Sequence, residues 1–312
     1  MKAAQINNYG GKEVLQVTAN AAKPSAKDGE VLVEVYAASV NPFDITVRNG
    51  LARQMAELRF PATLGGDLAG VVSEIGKGVQ GFTIGEAVYG QAGALSGQGS
   101  FAEYTPVQAV QLAAKPDRLD FASAAALPLA AVSAYQALAD HINLQKGQKI
   151  LIHGGAGGIG SIAIQIAKHL GAYVATTASS TDADFVKKLG ADQVIDYKTQ
   201  DFASIIKDYD SVYDTVGGET KAKSFTVLKP GGALVSMVGK ADEELVKRYD
   251  VQYTGQFTRV TPERLSAITE LVEQGAIKPI VDKVFPLDQA AEALEYLKTG
   301  QPKGKVVIQI KT

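Results

Sequence analysis

The stretch Ile150-Leu-Ile-His-Gly-Gly-Ala-Gly-Gly-Ile-Gly160 limits what this chain can fold into more than any other. The run KILIHG (149–154) is apolar enough for a buried strand. The run GIGSIAIQIAKHL (158–170) is apolar at helical spacing and is closed by Gly171, a helix stop. Between them lies G-x-G-x-x-G at Gly155, Gly157 and Gly160. A strand that turns on glycine directly into a helix opens a βαβ unit, and in that context the pattern points to a dinucleotide. Gly155 permits the tight turn, Gly157 keeps a Cβ out of the path of a pyrophosphate, and Gly160 lets helix and strand pack closely. The first helical amides, unpaired and at the positive end of the helix dipole, then face the phosphates. The alternative is a glycine-rich strand–helix turn with no ligand.

The rest of the second half repeats this alternation. AYVATTA (172–178), DQVIDY (192–197), DSVYDTV (210–216), ALVSMVG (233–239) and VQYTGQF (251–257) read as strands, with helical patterns between them and a further helix near 262–274. Apolar runs with few polar breaks are what parallel strands covered on both faces look like, so an α/β, doubly wound parallel sheet of Rossmann type is expected. The first third differs. EVLVEVYAASVNP (30–42), LAGVVSEIG (68–76), EAVYG (86–90) and SFAEYTPV (100–107) are short β-branched runs broken by Gly, Asn and Pro, which suits a small barrel or sandwich. QAGALSGQGS (91–100) reads as a surface loop. The pattern changes near Leu119, and the tail KGKVVIQIKT (303–312) is again a strand. The expected division is a β-rich domain from 1–118 and 279–312 and a dinucleotide-binding domain over 119–278.

Composition narrows the chemistry. There are no cysteines and only three histidines, His141, His153 and His169, in 312 residues. Disulfides, thiol catalysis and any cysteine-bound metal are excluded. His141 and His169 read as polar helix positions and His153 as the end of an apolar strand, so no metal site is expected. Lys and Arg number 31 against 33 Asp and Glu, with no basic block, which gives no electrostatic case for nucleic acid or an anionic membrane. No apolar run approaches the roughly 18 residues that span a bilayer. MKAAQINNYGG shows no leader pattern, so a cytoplasmic location is expected.

The end of the second strand selects between the two nicotinamide dinucleotides. A site for NAD places Asp or Glu there, about 20 residues after the glycines, to hold the ribose 2′-hydroxyl. Here the chain reads Thr176-Thr-Ala-Ser-Ser-Thr181. Ser179 and Ser180 can donate hydrogen bonds to a 2′-phosphate, and Tyr197, ending the third strand, can donate another. NADPH is therefore expected. The same Ser and Thr residues also suit the cap of a helix starting near Thr181, and both roles can hold at once.

A resemblance to a known family extends over nearly the whole chain. SVNPFDITVRNG (39–50), LGGDLAGVVSEIG (64–76), GGAGGIGSIAIQIAKHLGA (154–172), LGADQVIDY (189–197), YDTVGG (213–218) and GKVVIQI (304–310) resemble the medium-chain dehydrogenase/reductase superfamily. Within it they are similar to the zinc-free, zeta-crystallin-like quinone oxidoreductases and the plant enone and alkenal reductases. The resemblance implies a GroES-like domain built from both termini, a central Rossmann domain, and a homodimer. It places Gly157, Gly158 and Ile159 on the pyrophosphate, Ser179 and Tyr197 on the adenosine phosphate, Ser133, Val238 and Gly239 about the nicotinamide, and Lys305 in a segment approaching the cofactor. The departures matter too. Where zinc-dependent members carry their ligands this chain matches Asn41, Gly66 and, more loosely, Leu129, and where some relatives place a lysine after the second strand it has Asp182.

Hydride transfer asks little of side chains, because the cofactor carries the chemistry. A quinone or enone needs only a hydrogen-bond donor at its oxygen, whereas an alcohol must lose a proton to zinc or to a Tyr/Lys pair, and no spacing announces such a pair. The expected activity is zinc-independent, NADPH-dependent reduction of a small-molecule quinone or α,β-unsaturated carbonyl. Asn41 is the candidate anchor for the substrate oxygen, or else a turn residue before Pro42. Asp44 is a second candidate catalytic group, or else a helix cap. The alternative function is an NADPH-binding protein of low turnover with a structural or regulatory role.

Overall fold

In a computed structural model, which describes residues 1–311, the apolar runs become strands of two kinds. Along the first part of the chain these are β1 (Ala3–Ile6), β2 (Leu15–Thr18), β3 (Glu30–Ser39), β4 (Ala62–Thr63), β5 (Asp67–Ile75), β6 (Ala87–Gln91), β7 (Tyr104–Gln108) and β8 (Leu112–Ala114). Helix α1 (Pro42–Arg48) follows β3, and α2 (Phe121–Ala125) and α3 (Pro128–Tyr135) follow β8. The second part alternates: β9 (Lys149–Ile152), α4 (Gly158–His169), β10 (Tyr173–Ala178), α5 (Ala183–Lys188), β11 (Gln193–Asp196), α6 (Phe202–Ile205), β12 (Tyr209–Asp214), α7 (Gly218–Ser224), β13 (Leu228–Ser236), α8 (Glu243–Tyr249) and β14 (Gln252–Gly255). Helix α9 (Pro262–Glu273), β15 (Val281–Pro286), α10 (Ala290–Thr299) and β16 (Lys305–Gln309) complete it. The strand expected over 303–312 is thus β16, and Thr312 lies outside the described residues.

Two compact units result. One comprises Met1–Leu129, Val260–Glu273 and the chain from Pro279 onward; the other comprises Ala130–Arg259 and Gln274–Lys278. In the first unit, β15-β16-β3-β5-β6-β8 run side by side, β7 pairs with the other half of β3, and β2-β1-β4 form a small second sheet. Strand β16 lies antiparallel to β3, with Val307 opposite Ser39 and Gln309 opposite Ala37. This register carries Lys305 to the start of α1. One core holds Ile6, Leu64, Phe101, Leu294 and Ile308, and a second holds Val33, Leu68, Val72 and Val88.

The second unit is a six-stranded parallel sheet in the order β11-β10-β9-β12-β13-β14. The order reverses between β9 and β12, and in open α/β sheets ligands bind beyond the carboxyl ends of the strands at such a reversal. Leu151, Ala175, Val212 and Leu234 from four adjacent strands fill one core beneath Phe225. Their apolar continuity is why these strands were legible from composition alone. Among the described residues no helix is long and apolar enough to cross a membrane.

Candidate active site

Beyond β9 the chain turns through His153 and the glycines into α4. Gly154 takes the positive φ, +70°, so the left-handed residue of the turn is Gly154 and not Gly155. Gly155 is needed for space instead: a Cβ there would lie 2.1 Å from Thr176 Oγ1 on β10. A Cβ at Gly160 would lie 2.2 Å from the Gly154 carbonyl oxygen, which is the close approach of helix to turn expected of this position. Gly157 differs from both. Its Cβ would meet only Gly154 O at 3.4 Å, so the protein's own packing does not require glycine there. The face left open lies at the N-cap of α4, above the first-turn amides of Gly158, Ile159 and Gly160, which have no carbonyl one turn back to bond. Such a concavity fits a pyrophosphate.

His153 is fully buried and serves the fold. Its Nδ1 lies 3.1 Å from Thr177 Oγ1 and its Nε2 2.9 Å from Ser224 Oγ, which ties β9 to β10 and α7. Burial holds its imidazole down to about 4, against the pull of the Asp214 carboxylate. Asp214, buried at the end of β12, accepts the amides of Val216 and Gly217 at 2.9 Å each and the Ser236 hydroxyl at 2.6 Å, which fixes the two strand ends beside the reversal point.

At the end of β10, Ser179 is buried, while Ser180 and Tyr197 are exposed. Tyr197 N donates to Ala178 O at 3.3 Å, which sets Tyr197 beside the serines. The Ser179 hydroxyl is already engaged: it donates to Asp182 Oδ2 at 2.6 Å and contacts Thr181 Oγ1 at 2.7 Å. Its one proton is therefore not at the disposal of a phosphate while the bond to Asp182 stands. This alters the expectation for Ser179, because no local pattern showed that Asp182 folds back onto it.

Around the ends of β12, β13 and β14 the second unit gathers the remaining candidates. The Ser133 carbonyl accepts from Tyr213 Oη at 3.1 Å and from Gln256 Nε2 at 2.9 Å, and its hydroxyl lies 2.7 Å from Thr258 Oγ1. Gln256 Nε2 also lies 3.4 Å from Met237 Sδ, next to Val238. Val238 O accepts from Lys221 Nζ and Gly239 O from Tyr253 Oη, both at 3.0 Å. Gln256 thus bonds Ser133 and reaches Met237, the neighbour of Val238. Gln256 Oε1 is buried without a hydrogen-bond partner, and an amide –NH2, as on nicotinamide, is the kind of donor that suits it. Tyr213, Gln256 and Gln136 escaped the sequence reading. Gln136, in the π-helical segment Gln136–His141, donates to Phe257 O at 3.1 Å and accepts from Arg259 N at 3.0 Å. A π-helical insertion at a functional site is common, but nothing in local periodicity reveals it.

The first unit carries the other three candidates, in one buried network. Asn41 Nδ2 donates to Asp67 Oδ2 at 2.9 Å, and Asn41 Oδ1 accepts from Lys305 Nζ. Lys305 Nζ also reaches Val40 O at 3.1 Å and Asp67 Oδ2 at 3.7 Å. Asp67 further accepts from Ser39 Oγ, Gln91 Nε2 and Leu129 N. Burial pushes Asp67 up and Lys305 down, and their mutual attraction opposes both shifts. The Lys305 ammonium, expected near the cofactor, is thus enclosed among Asn41, Val40 and Asp67. Asp44 takes the cap role: buried at the start of α1, it accepts Asn41 N at 2.7 Å. Burial pushes its carboxyl up to about 7; the Asn41 amide bond and the Lys305 charge act against that, and the Asp67 charge adds to it. Asn41 retains one uncommitted amide proton.

The same network bears on metal. Asn41 and Leu129, two of the positions matched to zinc ligands, bond Asp67, which directly follows the third, Gly66, and the cation beside it is an ammonium. Among the described residues no three His, Asp or Glu side chains are placed to hold a metal ion. This donor set does not fit zinc.

Comparison with known proteins agrees in scope. Residues 27–117 match the family described as the alcohol dehydrogenase GroES-like domain, and residues 189–308 the family described as zinc-binding dehydrogenase. The chain is 39% identical to 2-methylene-furan-3-one reductase of Solanum lycopersicum, covering 99% of this chain and 79% of that protein. It is 38% identical to the chloroplastic NADPH-dependent alkenal/one oxidoreductase of Arabidopsis thaliana, with the same coverage. Among solved structures, the quinone oxidoreductase from Coxiella burnetii superposes with a TM-score of 0.93 at 34% identity, over 100% of this chain and 99% of that one.

Proposed function

The chain belongs to the medium-chain dehydrogenase/reductase superfamily, in its quinone and enone reductase branch, and from that premise we propose that it reduces a quinone or an α,β-unsaturated carbonyl with NADPH. The observation that carries this reading is the open face at Gly157, the one glycine of the three that the chain's own packing does not require. Gly155, Gly157, Gly158, Ile159 and Gly160 are assigned to the pyrophosphate, Ser179, Ser180 and Tyr197 to the adenosine end, and Ser133, Val238 and Gly239, with Gln256, to the nicotinamide. Two relatives support the reading, one named for reducing a 2-methylene-furan-3-one and the other for NADPH and an alkenal/one.

Bound NADPH supplies the hydride. The free amide proton of Asn41 steadies the oxygen on which negative charge develops as a quinone, or the β-carbon of an enone, accepts that hydride. Lys305 and Asp67 hold the Asn41 carbonyl and its other amide proton, so the amide cannot flip. Water or a nearby hydroxyl supplies the proton that completes the reduction. Among the described residues no His, Asp or Glu side chains are placed as a metal donor set, so alcohol oxidation lacks one of its usual agents. A cytoplasmic homodimer is part of the proposal, and β14, four residues at the edge of the parallel sheet, offers an unpaired ladder of the kind a second copy extends.

NADPH consumption against a panel of quinones, enones and simple alcohols tests the reading. Turnover is expected with the first two classes only and should survive exhaustive chelation. Asn41→Ala should lower it by about 1–2 kcal/mol of transition-state stabilisation, less than a donor in a dry site is worth, with NADPH affinity barely changed. Alcohol turnover, or full activity in Asn41→Ala, would show the wrong reaction or the wrong residue. NADPH binding with no turnover on any member of the panel would favour a structural or regulatory protein.

A further inference from the structure

We propose that Lys221 is a positioning residue for the nicotinamide end of the cofactor: together with Tyr253 it holds the carbonyls of the turn after β13 and so leaves the amides of that turn free for the carboxamide. The inference rests on the reading that Val238 and Gly239 meet the nicotinamide.

A lysine in the last turn of a helix ordinarily reaches into water or meets a carboxylate one turn away, as Lys223 meets Glu219 on α7. Lys221 does neither. It is half-buried, and among the described residues no carboxylate pairs with it. Its ammonium donates instead to Val238 O at 3.0 Å and to Lys240 O at 2.8 Å. The carbonyl between them, Gly239 O, accepts from Tyr253 Oη at 3.0 Å. The Tyr253 ring centroid lies 5.9 Å from the same ammonium, within cation–π reach. Successive carbonyls of one loop are thus held by side chains of α7 and β14. Ser236 cannot take the place of Lys221 at Val238 O. Its hydroxyl lies 3.0 Å from that oxygen, but its one proton goes to Asp214 Oδ2 at 2.6 Å, and it accepts Val238 N at 3.1 Å.

In a trans peptide the N–H points away from the C=O of the same unit. Fixing the carbonyls of Val238, Gly239 and Lys240 therefore turns the amides of Gly239, Lys240 and Ala241 away from Lys221 and Tyr253. Among the described residues none of those amides has a partner. A carboxamide oxygen accepts such donors, while its –NH2 suits Gln256 Oε1. Two glycines keep the turn close to α7. Gly239 has φ +76°, and a Cβ there would lie 2.9 Å from Lys221 Nζ. Gly217, before α7, has φ +81°, and a Cβ there would lie 2.7 Å from Val238 Cγ1.

Lys221→Met keeps the apolar stem of the side chain and removes its donors. Wild type, Lys221→Met, Lys221→Arg and Tyr253→Phe are titrated with NADPH and with adenosine 2′,5′-bisphosphate, which lacks the nicotinamide. Hydride transfer to a quinone is followed in a single turnover. Lys221→Met should melt close to wild type and bind the bisphosphate as wild type does. It should bind NADPH about tenfold more weakly and transfer hydride about tenfold more slowly, with the KM for quinone little changed. Lys221→Arg, which can still donate to both carbonyls, should recover most of both losses. Tyr253→Phe keeps the ring and loses only the bond to Gly239 O, so it should show the same split between the two ligands with a smaller loss. If Lys221→Met melts far below wild type, that split is read in Tyr253→Phe instead. Equal weakening of both ligands, or of neither, overturns the role of Lys221 and leaves the cofactor reading standing. Failure of wild type to bind NADPH overturns the cofactor reading and this inference together.

Discussion

Gly157 and Gly160 stand three residues apart and are glycine for opposite reasons, one facing open space and the other facing the turn it packs on. Gly157→Val should therefore melt close to wild type and lose NADPH binding, as read by fluorescence titration. Gly160→Ala, whose methyl would fall 2.2 Å from a backbone oxygen, should cost about 1–3 kcal/mol of stability or more in urea unfolding. A folded Gly157→Val that binds NADPH normally would remove the cradle from the proposal. Two buried titratable residues set opposed pH slopes. Asp44 holds its proton up to about 7 in the fold against 3.8 for the free group, so the folded state carries the extra proton between those values and stability falls as pH rises through them. His153 binds its proton only near 4 against 6.5, so the unfolded state takes it up first and stability falls as pH drops through that range. Asp44→Asn should thus be at its most favourable relative to wild type at pH 8 and lose that advantage toward pH 5. His153→Gln should show the reverse trend. Each residue sits in a different unit, so amide hydrogen exchange followed separately for the two units at both pH values checks the signs. Parallel behaviour of the two variants would contradict the burial argument for at least one of them.

At the scale of elements, the sheet was legible wherever one face of a strand did not have to be told from the other. β9, β10 and the end of β13 are near-continuous apolar runs because central parallel strands are covered on both sides, and α4 announces itself by glycines at both ends. The three-stranded sheet was not legible, since β1, β2 and β4 run to four residues or fewer and draw their stability from pairing with distant partners. The candidate site divides along the same line. The glycine turn is local, and its purpose could be read within eleven residues. The Lys305–Asn41 contact spans 264 residues, and the bond from Gln256 to Ser133 spans 123, so neither leaves a periodic trace. Asp182 was visible in the sequence as a departure from relatives, but its bond to Ser179 depends on the backbone turn at Asp182 N→Ser179 O, 2.9 Å, which composition does not specify. For the same reason Asn41 and Asp44 kept two readings each until their partners were placed.

At the scale of the molecule, the first unit is assembled from chain segments before, within and after the second in sequence, and its last strand is its keystone. β16 lies between β15 and β3 and brings in Lys305, whose ammonium is the counter-charge for the buried Asp67. Leaving a buried charge without its partner costs about 3–5 kcal/mol, in addition to the lost ladder. A chain ending at Lys303 should therefore lose the cooperative melting of the first unit, while the second unit retains NADPH binding and its own transition in calorimetry. Native melting of both units in the shortened chain would show that β16 is dispensable. The same feature has a consequence for synthesis. During translation β3 emerges early and β16 only after the whole second unit, so the Ala37–Ser39 end of β3 waits unpaired, and Asp67 on β5 without its cation, while every residue of the second unit leaves the ribosome. The dinucleotide-binding unit can fold on the growing chain, but the β-rich unit can close only after β16 has followed it. In that interval the exposed β3 edge is the part of the nascent protein for which chaperones and stray strands compete.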